Sequence, residues 1–488
     1  MSEGDVYMTN NPFTTEEVKA LPFDLPKDAP PRFFATDLDE NALRAAFSKN
    51  KTEGCYAIAA HIVKKYNIVT VGTKEYEMFV YQNGYYTQAT NEIIYPEIQL
   101  VLGPKTTLSA KREIFGLIAS MTIKRRDVFT TASLDLIPLI NGVYDRSTKT
   151  LLPHSPDYKF TIQFPIIYDA NATCPLTSTF LDQVFDENQR TVVEEWLGYY
   201  FYRNYQFKKA IIFVGEGDTG KTTVLQVINN LIGLQNISGI SLQKMATDKF
   251  AAAQMFAKHA NIWDDLDSKD ISGTGNFKIA TGGGTISGEY KFGNQFMFVN
   301  FAKLTFACNK IPDVKDFNDP AYFLRWLVVR FERPIEKKIP NLIKTLTTDA
   351  ERSGLFNLAM QGLDRLLEQS AFSYDKTPLD TQREMMRSGS SIAQFAAEKL
   401  EQENGAQISK EELYDIYSQF CADNGAPAET IQMFGKKILF YTPYMTEGLL
   451  TTTSSLMGKS RPRGWRNVVV RADKSAPDPF DEYQKTTV

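Results

Sequence analysis

Apolar residues recur at helical spacing from Asp37 to about Ile68, through Leu43, Ala46, Phe47, Ala57, Ile58, Ile62 and Val63, and predict helix there. The stretch YEMFVYQNGYYTQ then alternates around Asn83-Gly84, the two-residue signal of a tight hairpin. Helical spacing returns over 92–124 and 178–203, and residues 138–169 between them read as short strands with tight turns. At Lys208 the pattern changes. KKAIIFV is basic and then continuously apolar, as expected of a strand buried on both faces of a sheet. A helix over 221–232 follows, and apolar strands recur at HANIWDD, FAKLTFACN and FLRWLVVRF. Strands separated by helical stretches predict an α/β multidomain protein with a parallel-sheet core. After a helical stretch at 351–370, YDKTPLDTQREMMRSGS reads as a polar linker. Residues 391–470 read as a small domain of two or three helices and a final hairpin, and 1–36 as an acidic flexible arm.

The 488 residues exceed what one core fills, so two to four domains are expected. At 43% hydrophobic and 23% charged the chain has the balance of a folded protein, and a net charge of −4 means that any basic surface must be local. Cys55, Cys174, Cys308 and Cys421 are scattered without a CxxC pair, which argues against a zinc site and a disulfide scaffold and fits a reducing compartment. Neither an apolar run of about 18 residues nor a signal-peptide pattern occurs, so no membrane is expected and the cytosol of the host cell is the expected location.

Candidate chemistry begins where the first apolar strand ends. Gly215-Glu216-Gly217-Asp218-Thr219-Gly220-Lys221-Thr222, followed by Thr223, matches GxxxxGK[ST] between a strand and a helix. Glycines there let backbone N–H groups wrap phosphates at a positive helix end. Lys221 is expected to reach the β- and γ-phosphates of ATP, and the Thr222 hydroxyl to ligate Mg²⁺. Asp264-Asp265 closes another apolar strand: Asp264 is expected to hold the metal and Asp265 to polarise the attacking water, against the plainer reading of a solvated acidic loop. Asn309, at the end of KLTFACN, puts an amide where it can orient water, although on these residues alone an Asn-initiated turn is the better explanation.

In this order and compact spacing, GEGDTGKTT, NIWDDLD, FKIATGGGTISGEYKFGNQF, AKLTFACNKIP and DPAYFLRWLVVRF resemble the superfamily 3 helicases, in particular the phage/plasmid and poxvirus primase-helicase branch. LINGVYDRSTKTLLPHSPDYKFT resembles the domain that precedes the motor in that branch, and SKEELYDIYSQFCADNG its winged helix. The resemblance implies an AAA+ type P-loop motor over 206–372, preceded by an α/β region (37–177) and a helical collar (178–205). A linker (373–390), a winged helix (391–472) and a tail (473–488) would follow. It implies Asn309 as the sensor and Arg325 as a finger that acts on a neighbour's ATP in a homo-hexamer, with Arg330 and Arg333 as near competitors. Lys208-Lys209 lies near a family lysine that senses nucleotide, with spacing off by about one residue, and Lys278 matches a frequent lysine of unassigned role.

The family's pore hairpin falls on GEYKFGN, where Lys291 can pair with a DNA phosphate while Tyr290 or Phe292 packs on sugar or base; an ordinary surface hairpin is the alternative. Between 431 and 471, Lys436, Lys437, Lys459, Arg461, Arg463, Arg466 and Arg471 face the single acid Glu447. That local excess suits DNA phosphates or merely a solvated hairpin. Asp37-Leu38-Asp39 is the only DxD ahead of the motor, at a helix start where Asp serves as a cap, and His61 falls on an apolar helix. A priming activity would therefore sit on a separate primase or polymerase. The expected function is a replicative helicase that moves on single-stranded and forked DNA, 3′ to 5′ by resemblance. An ATP-driven initiator or defence-type switch is the rival, and a small-molecule kinase a weaker third.

Overall fold

The computed structural model describes residues 39–471 except 73–75, 90, 131, 268–270, 272, 290, 292–294, 313–318, 336–338, 425 and 451–462. The arm (1–36), Asp37-Leu38 and the tail (473–488) lie outside the described residues. Contacts divide the chain into two compact units, Met1–Val128 and Phe129–Val488.

In the first unit, helices Glu40–Lys49 and Lys51–Tyr66 meet at Asn50, whose side chain accepts from the Thr52 and Glu53 N–H groups and so starts the second helix. Asp39 caps the first in the same way, through the Asn41 N–H, and His61 is a buried residue of the second. Strands β1 (Val69–Val71), β2 (Glu77–Gln82), β3 (Tyr85–Ala89) and β4 (Ile123–Lys124) pair in the order β3-β2-β1-β4. Asn83 and Gly84 both have positive φ, 52° and 95°, as the tight two-residue turn between β2 and β3 requires. Helices Asn91–Leu102 and Leu108–Thr122 bring Ile94, Ile98, Ile114 and Ile118 onto Ile58 and Ile62.

The second unit opens with an antiparallel meander, β5 (Leu136–Leu139), β6 (Gly142–Asp145) and β7 (Thr150–Leu152). A sheet this small needs cover. Ile137, Leu139 and Tyr144 find it in the core formed by helices Pro175–Val184, Glu187–Tyr199 and Asp349–Gln369. The unit boundary thus falls inside the stretch 37–177 that the resemblance implies as one α/β region.

At the centre lie β8 (Ala210–Val214), β9 (Ile237–Ser238), β10 (Ala260–Trp263), β13 (Lys303–Cys308) and β14 (Trp326–Arg330), all parallel, in the order β14-β8-β13-β10-β9. A separate hairpin, β11 (Thr285–Glu289) with β12 (Gln295–Val299), precedes β13. One face of the sheet packs on helices Glu187–Tyr199, Lys221–Ile232 and Asp349–Gln369. The other packs on Leu242, Met245, Phe277, Tyr322 and Met385. Both faces are covered, which explains the unbroken apolar strands.

Buried carboxylates lock the helical layer. Glu195, with no exposed surface, accepts from Arg365 Nε (2.9 Å), Gln369 Nε2 (2.9 Å) and the Ser373 backbone N–H (2.9 Å). Glu351 accepts from the Leu176 and Thr177 N–H groups at the start of helix Pro175–Val184, where no side chain of the local sequence does so. Removing Arg365 would leave the buried Glu195 carboxylate without its cationic partner.

Two elements differ from the expectation. The stretch 373–390 is not a linker: Pro378–Gly389 is a helix whose Met385 enters the sheet's core and whose Glu384 pairs with Arg330 at 3.2 Å. Its apolar positions are too few to show a period. Near the C-terminus, helices Ser391–Lys399, Lys410–Asp423 and Ile431–Tyr441 pack on a sheet β15-β17-β16, from β15 (Leu400–Ser409), β16 (Thr446–Leu449) and β17 (Arg463–Val470). Sequence reasoning finds the last hairpin but misses β15, because LEQENGAQIS is almost wholly polar and exposed.

Candidate functional site

Parallel register brings the carboxyl ends of β8, β13 and β10 side by side, with Cys308 opposite Val214 and Trp263 opposite Phe306. Whatever follows those strands therefore converges at one sheet edge, where open α/β sheets bind ligands. Three of the stretches singled out above follow them: the glycine-rich loop 215–220, Asn309 and Asp264-Asp265.

Two of the loop glycines are required by their surroundings. A Cβ on Gly215 would stand 2.5 Å from the Phe331 carbonyl oxygen. Gly220 has φ 93° and begins helix Lys221–Ile232, so its left-handed backbone turns the helix N-terminus into the loop. Asp218 (φ 60°) shares that conformation, and its carbonyl is held by the Ile335 N–H at 3.0 Å. The Lys221 ammonium folds back onto the carbonyls of Gly215 and Glu216. Burial pushes it below the usual lysine range, opposed by the nearby Asp264, Cys308 and Asp265. A cation held by carbonyls at a helix N-terminus can exchange them for phosphate oxygens.

Thr222 donates from its hydroxyl to Asp264 Oδ2 at 3.3 Å, so the first turn of the helix faces the acid pair. The Asp264 Oδ1 accepts from the Asp265 N–H at 2.9 Å, and Asp265 has φ 53°, a conformation that costs a non-glycine residue on the order of 1–3 kcal/mol. The Leu266 N–H, bonded to the Ala307 carbonyl at 2.7 Å, ties this turn to β13. Asn309 is exposed at the same edge. The Cys308 thiol is pushed up to about 12 by burial, so it is a neutral packing group beside the loop.

The candidate arginines separate. Arg325 lies at the opposite end of the sheet: its carbonyl accepts from the Ala210 N–H at the start of β8. The five-residue length of β8 puts it roughly 16 Å from its own glycine-rich loop. Its Nη1 donates to the Ala321 carbonyl, and its Nε is buried with no hydrogen-bond partner among the described residues. Arg330, at the carboxyl end of β14, is engaged by Glu384, and Arg333 donates to the Asp182 and Phe185 carbonyls at the end of helix Pro175–Val184. Lys209, weighed as a nucleotide sensor, lies at the same end of the sheet as Arg325. It is buried at the amino end of β8, where it donates to the Leu324 carbonyl (2.6 Å) and pairs with Asp375 (2.6 Å).

Lys291 is exposed at the tip of the β11–β12 hairpin, while Tyr290 and Phe292 lie outside the described residues. Strand β12 is anchored by Phe296 and Phe298, whose rings meet Phe256 at 5.2 and 5.4 Å. In the C-terminal sheet Arg463 is exposed, Arg466 donates to the Leu449 carbonyl of its own hairpin, and Lys459 and Arg461 lie outside the described residues. Sequence reasoning gave Lys278 no role. It pairs with Asp319 at 2.6 Å. It also overlooked Lys303, which is buried over the Tyr199 and Tyr205 rings (4.2 and 5.0 Å) and donates to two carbonyls. A charged residue opening an otherwise apolar strand was the available signal.

Comparison with known proteins gives likenesses in separate stretches. Residues 55–186 match the family model described as D5 N terminal like, and residues 213–325 match DUF5906, a family of unknown function. The protein named "Putative helicase 184R" of Invertebrate iridescent virus 6 is 27% identical over 233 residues, which cover 42% of this chain and 23% of that protein. The chain therefore spans less than a quarter of that relative's length. Among solved structures, the apo structure of the NrS-1 C-terminal region is 12% identical, covering 85% of this chain and 99% of that one with a TM-score of 0.47. An A-form apo structure of the same region covers 84% and 99%, at 12% identity and a TM-score of 0.44. In two separate stretches, then, the chain is similar to a D5-type domain and to a family of unknown function, and it shares a segment with a viral protein named as a helicase.

Proposed function

We propose that this chain is an ATP-dependent DNA helicase of a viral, phage or plasmid replication system, built on an AAA+ type P-loop motor of superfamily 3 and a C-terminal winged helix. The observation that carries the reading is the meeting of the glycine-rich loop, the Thr222–Asp264 contact and Asn309 at one sheet edge, with Arg325 at the other. In the strand order β14-β8-β13-β10-β9, the Asn309 strand lies between the loop strand and the acid strand, so one phosphate chain can touch all three.

Lys221 would exchange its two carbonyl partners for β- and γ-phosphate oxygens, with the loop N–H groups around them. A hydroxyl and a carboxylate facing each other, as Thr222 and Asp264 do, suit a hard cation that keeps much of its water. Mg²⁺ bound there would neutralise charge on the transferred phosphoryl group. Asp265 would polarise the attacking water and Asn309 orient it. Arg325 is too far from its own loop to serve it, so its charge would act on the ATP of an adjacent copy, and that arrangement closes as a ring, here a hexamer. Inside the ring, Lys291 of each hairpin would grip single-stranded DNA phosphates without reading sequence, and the exposed Arg463 would meet the fork. Movement from 3′ to 5′ is part of the proposal, as are a separate primase or polymerase and the cytosol as its place of action.

Subunit complementation tests the shared site. Lys221→Ala should abolish ATP binding, and Arg325→Ala should bind ATP and assemble but hydrolyse about 10³-fold more slowly or worse. Mixing the two inactive variants should restore turnover at interfaces that pair an intact loop with an intact arginine. No recovery in co-assembled mixtures would overturn the trans assignment and return Arg330 to consideration.

A further inference from the structure

Arg325 follows a helix of only four residues, Pro320–Phe323. One turn has little stability of its own, so its setting depends on what holds its ends. Asp319 holds the first end: Oδ1 accepts from the Ala321 N–H at 3.0 Å and caps the turn. Its Oδ2 is taken by Lys278 Nζ at 2.6 Å and by the Thr274 hydroxyl at 3.2 Å. Both donors come from one place, helix Gly275–Thr281 and the residue before it. The same helix holds the other side of Arg325, because Phe277 stacks flat on Trp326 with centroids 4.6 Å apart and planes 14° apart. Residues 319 and 326 are thus fixed to one helix, and Arg325 projects between them. Its Nη1 rests on the Ala321 carbonyl, inside the turn that Asp319 caps.

We propose that Lys278 and Asp319 are positioning residues for Arg325: their ion pair sets where the guanidinium stands for a neighbouring copy's nucleotide. The proposal rests on the assignment of Arg325 made above. It gives Lys278 a task in its own subunit, and it makes helix Gly275–Thr281, which leads into the β11–β12 hairpin, the support of the arginine. A displaced guanidinium loses transition-state contact while the nucleotide pocket, at the far edge of the sheet, is untouched. Turnover should therefore fall without a change in KM. A misplacement of about 1 Å can cost roughly 100-fold.

The test is a double-mutant cycle on the full-length protein with ATP. Asp319→Asn and Lys278→Met should each lower kcat by about 10- to 100-fold, with KM and assembly as in wild type. Neither should lower turnover further in an Arg325→Ala background measured by single turnover. The exchange Lys278→Asp with Asp319→Lys should recover part of the loss. If Arg325→Ala itself keeps full turnover, the assignment of Arg325 fails. If Arg325→Ala is inactive while Asp319→Asn is unimpaired, the positioning role alone fails. A loss that persists undiminished without Arg325 would also overturn it, since the pair would then act independently. Should Asp319→Asn not fold, Thr274→Val tests the same carboxylate, with a smaller loss of kcat expected and no change overturning the role.

Discussion

His259 shows how a residue can be central to packing and invisible to motif reading. It is fully buried, its Nδ1 donates to the Tyr200 carbonyl at 2.9 Å, and the Phe164 and Phe301 rings stand edge-on at 4.7 and 5.1 Å. Burial pushes its pKa down to about 3, partly opposed by the Tyr200 hydrogen bond. The folded protein therefore keeps His259 neutral at pH values where the unfolded chain, near 6.5, binds a proton. Stability from this group is fully present above about pH 6.5 and is lost as pH falls toward 3, and the buried His61, shifted the same way, adds to the slope. His259→Gln should flatten the fall of the thermal midpoint between pH 6.5 and 4. An unchanged acid limb would mean that carboxylates alone set it. The glycine-rich loop was legible because its residue types follow one another along the chain between a strand and a helix. His259, Glu195 and Glu351 were not, because their partners lie far along the chain.

Elements with a strong period were legible as well. The buried strands β8, β10, β13 and β14 and the Asn83-Gly84 hairpin all stand where the pattern puts them. Failures came where few apolar residues carry the packing. Among the described residues of helix Pro378–Gly389, Met385, 4% exposed, is the apolar side chain in the sheet's core, and Glu384 pairs with Arg330. If the helix is part of the folded unit, Met385→Ala should cost roughly 2–5 kcal/mol in denaturant unfolding. A cost within about 0.5 kcal/mol, the usual range for surface positions, would return the segment to a linker. β15 was missed for the complementary reason: it is held through backbone pairing with β17, with Leu400 buried at its start while residues 401–405 are exposed.

For the whole molecule, strand order carries what residue patterns cannot. The sequence supplies a glycine-rich loop, an acid pair, an asparagine and an arginine, but only the parallel register puts three of them at one edge and the fourth at the other. That division is why the proposed motor needs more than one copy. Net charge is −4 and gives no global attraction to nucleic acid, so in the proposed motor the grip on DNA would fall to local groups such as Lys291 and should weaken steeply with salt. Among the described residues no helix is long and apolar enough to cross a membrane.

The most direct measurement is unwinding of forked DNA by the full-length protein with Mg²⁺ and ATP, on forks of both polarities, beside Lys291→Ala matched for thermal midpoint. The account expects the wild type to unwind the fork whose single strand allows 3′ to 5′ movement, and Lys291→Ala to lose unwinding by at least about tenfold. ATP hydrolysis on DNA with no strand separation by the wild type on either fork would contradict it and favour an ATP-driven DNA-binding switch.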